Sequence, residues 1–258
     1  MQKTVLITGA SSGLGLEFSK LYASKHYDLV IVARREKRLN QIKQELEQKY
    51  NINVHVIAKD LSLENVAQEI YAYTVKHQIS IDTLINNAGF GDYGNFYEND
   101  LDKLNQLMKV NMETLVQLTH YFLPQMMQRK NGNVLNISSV ASFCAGPYMA
   151  LYYASKSFVL SFSQAIGEEV KPYHVQICAL CPGPTKTEFE KAAHMNSSRM
   201  FQFFKPLSAQ KVAQMGYDAL QKKKVVCLCG WSTKIMNVGS RLMPRSITRK
   251  FARFINVK

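Results

Sequence analysis

The chain has 258 residues, enough for one large α/β domain with a sizeable core and short for two. Its 47% apolar and 20% charged content is that of an ordinary globular protein, and no stretch reaches the roughly 18 apolar residues that span a membrane. The net charge of +13 is concentrated at one end: after Asp218 there is no acidic residue and there are ten basic ones, which leaves +3 for everything before.

Strand-like and helix-like segments alternate along the chain. Residues 5–8 are a short apolar run, followed by glycine-rich residues and a helical pattern to about His26. Residues 29–33 read as a second strand, and 36–49 as a charged helix with Leu39, Ile42 and Leu46 at helical spacing. Residues 54–58 are a third strand. Ser62 is placed to cap a helix to about His77, with Glu64 and Asn65 in its first turn. A strand at 83–86 precedes a long helix over 101–129, with a bend expected near Pro124. A strand at 133–138, a helix at 151–171, a strand at 175–180, a helix at 211–222 and a strand at 225–228 complete the order. The strands are continuous apolar runs, the mark of a parallel sheet buried on both faces. Alternating β and α of this kind predicts a doubly wound, Rossmann-type sheet of seven strands in one domain, with helices on both faces. The longest irregular piece runs from Pro182 to about Leu207, and 184–207 reads as a lid.

The chain enters its first strand directly, with no apolar signal segment, so the expected location is cytoplasmic and the five cysteines read as reduced thiols. Cys178-x-x-Cys181 and Cys227-x-Cys229 fall in or beside apolar runs, where cysteine is an ordinary small core residue; no metal is expected.

A loop, Thr8-Gly9-Ala10-Ser11-Ser12-Gly13-Leu14-Gly15, joins the first strand to the first helix. Glycines let such a loop turn tightly, bring backbone N–H groups to a pyrophosphate and seat the helix close to the strand. The helix N-terminus adds its positive end. A turn with only a structural job is the alternative. The second strand ends Ile31-Val32-Ala33-Arg34-Arg35. An acid here would hold a ribose 2′-hydroxyl, whereas arginine accommodates a 2′-phosphate. Ala33 is not acidic, and two guanidinium groups suit a phosphate, so NADP(H) is expected rather than NAD(H). The competing reading is two arginines that merely start a solvated helix.

The chemistry centres on Tyr152-Tyr153-Ala154-Ser155-Lys156, with Ser139 thirteen positions ahead of Tyr152. Helix positions i and i+4 are neighbours on one face, so Tyr152 and Lys156 project together. A nearby ammonium stabilises a phenolate, so the spacing predicts a Tyr152 pKa below its usual value of about 10 and a usable acid or base. Tyr153 is the lesser candidate.

Thr8-Gly9-x-x-x-Gly13-x-Gly15, Asn86-Asn87-Ala88-Gly89, Asn111, Ser139, Tyr152-x-x-x-Lys156 and Pro182-Gly183 stand in an order and spacing that resembles the compact short-chain dehydrogenase/reductases. The resemblance covers residues 3–230 and is greatest to a bacterial branch of unassigned substrate range, similar to the ketoacyl and hydroxysteroid reductases. It implies a catalytic domain over 1–230 and leaves 231–258 as a basic extension. It also implies roles. Gly9, Ser11, Ser12, Gly13, Leu14 and Gly15 would line the pyrophosphate loop, and Arg34 and Arg35 would meet the 2′-phosphate. Asp60 and Leu61 would flank the adenine. Asn87, Ala88 and Gly89 would stabilise the sheet and approach the cofactor ribose. Pro182, Gly183 and Thr187 would border the nicotinamide. The catalytic tetrad would be Asn111, Ser139, Tyr152 and Lys156, with Ser138 as a rival to Ser139. Tyr152 and Lys156 would also contact the cofactor, and Asn111 would fix a proton-relay water. Homodimers or homotetramers would pack through 101–129 and 151–171.

The expected reaction moves a hydride between NADP(H) and a carbonyl or secondary alcohol. Phe189, Met195, Met200, Phe201, Phe203 and Phe204 in the lid, with Phe143, Cys144, Pro147, Tyr148 and Met149, suit an apolar or lipid-like substrate or simply pack the lid on the core. The other function class is a cofactor-binding protein with a regulatory or structural output at a membrane, which has no need of a complete tetrad. In the tail, Ile247, Phe251, Phe254 and Ile255 recur among Arg249, Lys250 and Arg253. That pattern fits a short amphipathic helix on the inner face of an anionic membrane, a cap on the pocket, a subunit interface or a solvated end. No nucleic-acid motif accompanies it, and nucleic acid is not an expected partner.

Overall fold

The first strand shows why the apolar runs are continuous. Val5 and Ile7 face one hydrophobic core and Leu6 faces another, all fully buried. Successive strand side chains point to opposite faces, so a sheet covered on both sides needs apolar residues at every position. The computed structural model describes residues 2–186 and 206–257.

The element order is β1 (Thr4–Thr8), α1 (Gly13–Ala23), β2 (Asp28–Ala33), α2 (Glu36–Tyr50), β3 (Val54–Ala58), α3 (Val66–Lys76), β4 (Thr83–Asn86), α4 (Leu101–Met108) and α5 (Thr114–Gln128). It continues with β5 (Gly132–Ile137), α6 (Ala150–Val170), β6 (Val175–Pro182), β7 (Thr185–Lys186), β8 (Leu207–Ser208), α7 (Ala209–Gln221), β9 (Val226–Cys229), α8 (Trp231–Leu242) and α9 (Arg245–Asn256). Seven strands form one parallel sheet in the order β3-β2-β1-β4-β5-β6-β9, with β7 and β8 paired separately. This is the expected doubly wound sheet in a single domain. Strand order reverses between β1 and β4, which opens a crevice at their carboxyl ends.

Helices α1, α2 and α7 cover one face and α3, α5 and α6 the other. Leu39, Ile42 and Leu46 on α2 are buried at the predicted spacing, each contributing about 1.5–3 kcal/mol of burial. Asn51 closes that helix in the left-handed region, φ 52°. Cys178 and Cys181 on β6 and Cys227 and Cys229 on β9 are buried free thiols.

Two local expectations change. Ser62 does not cap a helix: its N–H and hydroxyl both donate to the Asp60 carboxylate, at 2.9 and 2.8 Å, and α3 begins at Val66. A short Asx-type turn has outcompeted the capping turn. The long helix breaks at a π-helical turn, Lys109–Glu113, that carries Asn111, while Pro124 lies inside α5. Such π turns cluster at functional sites.

A polar ladder crosses the otherwise apolar interior. Asn86 Nδ2 donates to Thr119 Oγ1 and Asn136 Oδ1, at 3.0 and 2.9 Å, and Asn136 Nδ2 donates to Ser163 Oγ at 2.9 Å. It ties β4 and β5 to α5 and α6, the elements that carry the site. Cutting it leaves buried polar groups without partners, at about 1–3 kcal/mol for each group. Asn136→Ala is therefore expected to lose about 2–4 kcal/mol in urea unfolding, with the slope unchanged. A loss below about 0.5 kcal/mol would contradict this role.

Candidate active site

The crevice is a cavity of about 770 Å³ running from β2 to the start of α6. Its walls include the glycine loop, Arg34 and Arg35, Asp60 and Leu61, Asn87 to Gly89, and Ser139, Tyr152, Lys156 and Gly183. Residues from eight separate parts of the sequence meet here because every parallel strand delivers its carboxyl end to one edge of the sheet.

Backbone geometry dictates the loop's glycines. Gly9 and Gly13 have φ of 68° and 52°, a region that favours glycine. At Gly15 a Cβ would stand 2.3 Å from Gly9 O and 2.6 Å from Asn87 Nδ2, so the loop folds over α1 only without a side chain. Asn87 fastens this loop to β4. Its Nδ2 donates to Thr8 O at 2.8 Å, and the Asn87 and Ala88 N–H groups donate to Thr8 Oγ1, both at 3.0 Å.

The two arginines part company. Arg35 lies across the loop, with Nε and Nη2 donating to Ser11 Oγ at 3.2 and 3.1 Å. Arg34 Nη1 instead stands 3.7 Å from Asp60 Oδ2, with its side chain 75% exposed. Burial raises the Asp60 carboxyl, but the Ser62 hydrogen bonds and the Arg34 charge outweigh it and hold the carboxyl below its ordinary value.

At the other end, the structure separates the two serines. Ser138 Oγ donates to Lys156 O at 2.8 Å, tying the end of β5 to α6. Ser139 Oγ accepts the Ala141 N–H at 3.1 Å, starting a 3₁₀ turn, and hydrogen-bonds the Tyr152 phenol. Lys156 Nζ lies 5.8 Å from the Tyr152 ring centroid and donates to Ile137 O at 2.8 Å. The predicted fall in the Tyr152 pKa does not occur in this geometry. Burial pushes it up to about 12, with the Ser139 bond only partly offsetting, and burial takes Lys156 down to about 8. Desolvation outweighs the mutual attraction because the ammonium faces a backbone carbonyl and the face of the ring.

Asn111 ties three segments together. Its Oδ1 accepts the Phe90 N–H at 3.0 Å, while its Nδ2 donates to Phe90 O and Ser155 Oγ, at 2.9 and 3.1 Å. The side-chain amide is thus engaged with protein atoms through both its oxygen and its nitrogen. It holds the chain after β4 against α6. A Cβ on Gly89 would stand 3.0 Å from Asn111 Oδ1 and 3.3 Å from Lys156 Nζ. Pro182 ends β6, and Gly183 lies on the wall; Thr187 and the lid aromatics lie outside the described residues.

Two further residues complete this end. Tyr153 is buried beside Tyr152, and its hydroxyl donates to Asn256 Oδ1 at 3.1 Å. Asn256 Nδ2 donates in turn to Pro147 O at 3.0 Å. The end of α9 therefore latches both the catalytic-end helix and the loop before it, more than a hundred residues away in sequence. That loop crosses the Tyr153 ring so closely that a Cβ at Gly146 would overlap it, and Tyr148 is held at φ 66°. No local pattern marks Asn256. Only its position at the end of the Ile247-to-Ile255 helical run hints that something is tied down there.

The cradle suits a dinucleotide with a 2′-phosphate: a loop that excludes side chains, a helix N-terminus behind it, and Arg35 with Ser11 beside it.

Residues 3–197 match the short chain dehydrogenase family. The chain is 27% identical to the probable short-chain type dehydrogenase/reductase VdlC of Helicobacter pylori, over 93% of both chains. It is 30% identical over 190 residues to the very-long-chain 3-oxoacyl-CoA reductase of Mus musculus, covering 72% of this chain and 60% of that protein's length. Among solved structures, a short-chain dehydrogenase from Sphingobium yanoikuyae in complex with NADPH superposes with a TM-score of 0.83 at 27% identity, over 93% of each chain.

The depressed Lys156 value has a stability consequence. Its ordinary value is 10.5, so below pH 8 folding must bury a proton that the unfolded chain holds freely. The cost is on the order of 3 kcal/mol at pH 7, shrinks between pH 8 and 10.5, and vanishes above. Lys156→Met is expected to raise the melting temperature at pH 7, less about 1 kcal/mol for the lost bond to Ile137, and to lose that advantage by pH 10.5. A variant less stable than the parent at pH 7 would refute the penalty.

Proposed function

Because the chain belongs to the short-chain dehydrogenase/reductase family, we propose that it is an NADP(H)-dependent reductase of apolar carbonyl compounds. The observation that carries this reading is the half-buried Tyr152 phenol, hydrogen-bonded to Ser139 at the end of a cleft whose other end holds the glycine loop and Arg35.

NADPH, when bound, supplies the hydride. Gly9, Ser11, Ser12, Gly13, Leu14 and Gly15 would hold its pyrophosphate. Arg35, beside Ser11, would hold the 2′-phosphate, with Arg34 nearby on the Asp60 side. Asp60 and Leu61 would border the adenine, Asn87 to Gly89 the ribose, and Pro182 and Gly183 the nicotinamide. Tyr152 keeps its proton at neutral pH, which is the state that protonates a carbonyl oxygen as negative charge grows there. Ser139 donates a hydrogen bond to the same oxygen. Lys156, with a value of about 8, is poised to return a proton to Tyr152 near neutrality. Asn111 positions Gly89, which rests against Lys156. Val110, Val140, Ala141 and Met149 line the catalytic end and favour an apolar substrate. The likeness to reductases named for very-long-chain 3-oxoacyl-CoA supports a long acyl carbonyl. The outward face of α6, with Phe158 and Phe162 stacked at 5.8 Å, is the place we assign to homo-oligomer contact.

NADPH oxidation against ketosteroids, β-ketoacyl thioesters, long-chain aldehydes and diketones tests the activity. Tyr152→Phe is expected to lower kcat by about 10²–10⁴-fold and leave NADPH affinity within about threefold. Equal turnover in that variant would sink the assignment. Loss of a charge-assisted phosphate contact is worth about 1.5–3 kcal/mol, so Arg35→Ala is expected to raise the KM for NADPH about 10- to 100-fold and leave that for NADH unchanged. Faster turnover of the parent with NADH would refute the 2′-phosphate reading.

A further inference from the structure

We propose that α8 and α9 form a docking surface for an anionic phospholipid bilayer at the mouth of the catalytic cleft. Trp231, Ile235, Val238 and Leu242 are all exposed and follow one another at i, i+4, i+7 and i+11, a single stripe along α8. Trp231 and Leu242 are each 79% exposed. Ile247 and Phe251 continue an exposed apolar edge on α9. These helices are not waiting for a core. Their inner faces are already seated: Thr233, Thr248, Ala252 and Ile255 are buried, and Asn256 makes its latch. Among the described residues nothing covers the outward stripe.

Charge selects the occupant. Lys234 and Arg241 on α8 and Arg245, Arg249, Lys250 and Arg253 on α9 are all exposed, and no acidic residue follows Asp218. A second copy on the same face would set cations against cations. An anionic bilayer offers acyl chains to the stripe and headgroups to the cations at once. No described helix is long and apolar enough to cross a membrane, so the contact lies in the interface plane.

The position gives docking a use. Met236, Phe251, Ala252 and Ile255 border a gap of about 20 Å³ whose other walls include Val140, Ala141, Tyr153 and Pro184. Those four also line the catalytic cleft. An apolar carbonyl dissolved in the bilayer would reach the site laterally. This delivery rests on the reductase reading; the docking does not.

Trp231 is the chain's single tryptophan, so its fluorescence reports on the stripe without a label. The full chain would be titrated with phosphatidylcholine vesicles, with and without phosphatidylglycerol, alongside sedimentation of the vesicles. The expected result is a blue shift and co-sedimentation with the anionic vesicles only, reversed by raising salt from about 50 to about 500 mM. Arg249→Glu with Lys250→Glu is expected to lower partitioning at least about 30-fold, and Ile235→Ser with Leu242→Ser at least about tenfold. NADPH oxidation with a water-soluble ketone should be unchanged in both. Absence of a shift overturns the proposal, as does an equal response to neutral vesicles. A shift that follows protein concentration alone assigns the face to a second copy and overturns it too. Binding to duplex DNA without a vesicle response does the same for nucleic acid. Vesicle docking by a chain inactive on every carbonyl would uphold the surface and refute the reductase.

Discussion

The site hangs on one junction of hydrogen bonds, where the Asn87 amide and the Thr8 hydroxyl join the ends of β1 and β4. Thr8 Oγ1 accepts two successive N–H groups from the chain leaving β4, and Asn87 returns a bond to Thr8 O. This occurs where strand order reverses and the two connections diverge to opposite faces. Without it the crevice would have no fixed width. The junction also explains the glycines around it, because Gly9 and Gly15 are pressed against the same Asn87 amide. Two residues further on, Gly89 rests on Asn111 and Lys156. One knot thus sets the loop at one end of the cleft and the lysine at the other.

Desolvation governs the chemistry at the catalytic end. Tyr152 and Lys156 are neighbours on α6, but the ammonium bonds a strand carbonyl, and burial drives the two groups toward their neutral forms. A phenol that keeps its proton suits a proton donor in carbonyl reduction. The π turn at Asn111 serves the same end by structural means. Its amide, bonded to both polar backbone atoms of Phe90, locks the loop beneath Lys156. The cost of these buried polar groups is borne by the surrounding sheet, whose Asn86–Asn136–Ser163 ladder braces the strands and helices that carry them.

The basic end of the chain is tied into this arrangement rather than appended to it. Asn256 reaches back to Tyr153 and to the loop at Pro147, so the last helix sets the shape of the catalytic wall. The sequence offered four uses for this segment, and two are compatible at once: an inner face that caps the pocket and an outer face left apolar and cationic. A helical wheel shows that two faces exist. It does not show which one the protein covers, because that depends on the partner elements.

The alternation of strands and helices, the dinucleotide loop and the Tyr152–Lys156 pairing were legible in the sequence because each depends on local spacing. Continuous apolar runs require a sheet covered on both sides, glycines at 9, 13 and 15 require a tight loop, and an i,i+4 pair requires a shared helix face. What local spacing cannot encode is the outcome of competition among groups brought together from afar. Ser62 bonded Asp60 instead of capping a helix, the long helix opened at Asn111 and not at Pro124, and Ser139 rather than Ser138 met Tyr152. Burial, invisible in a spacing rule, reversed the expected direction of the Tyr152 shift. Tertiary structure alone decided these points, because desolvation and hydrogen-bond choice depend on every neighbour in space and the sequence orders only neighbours along the chain.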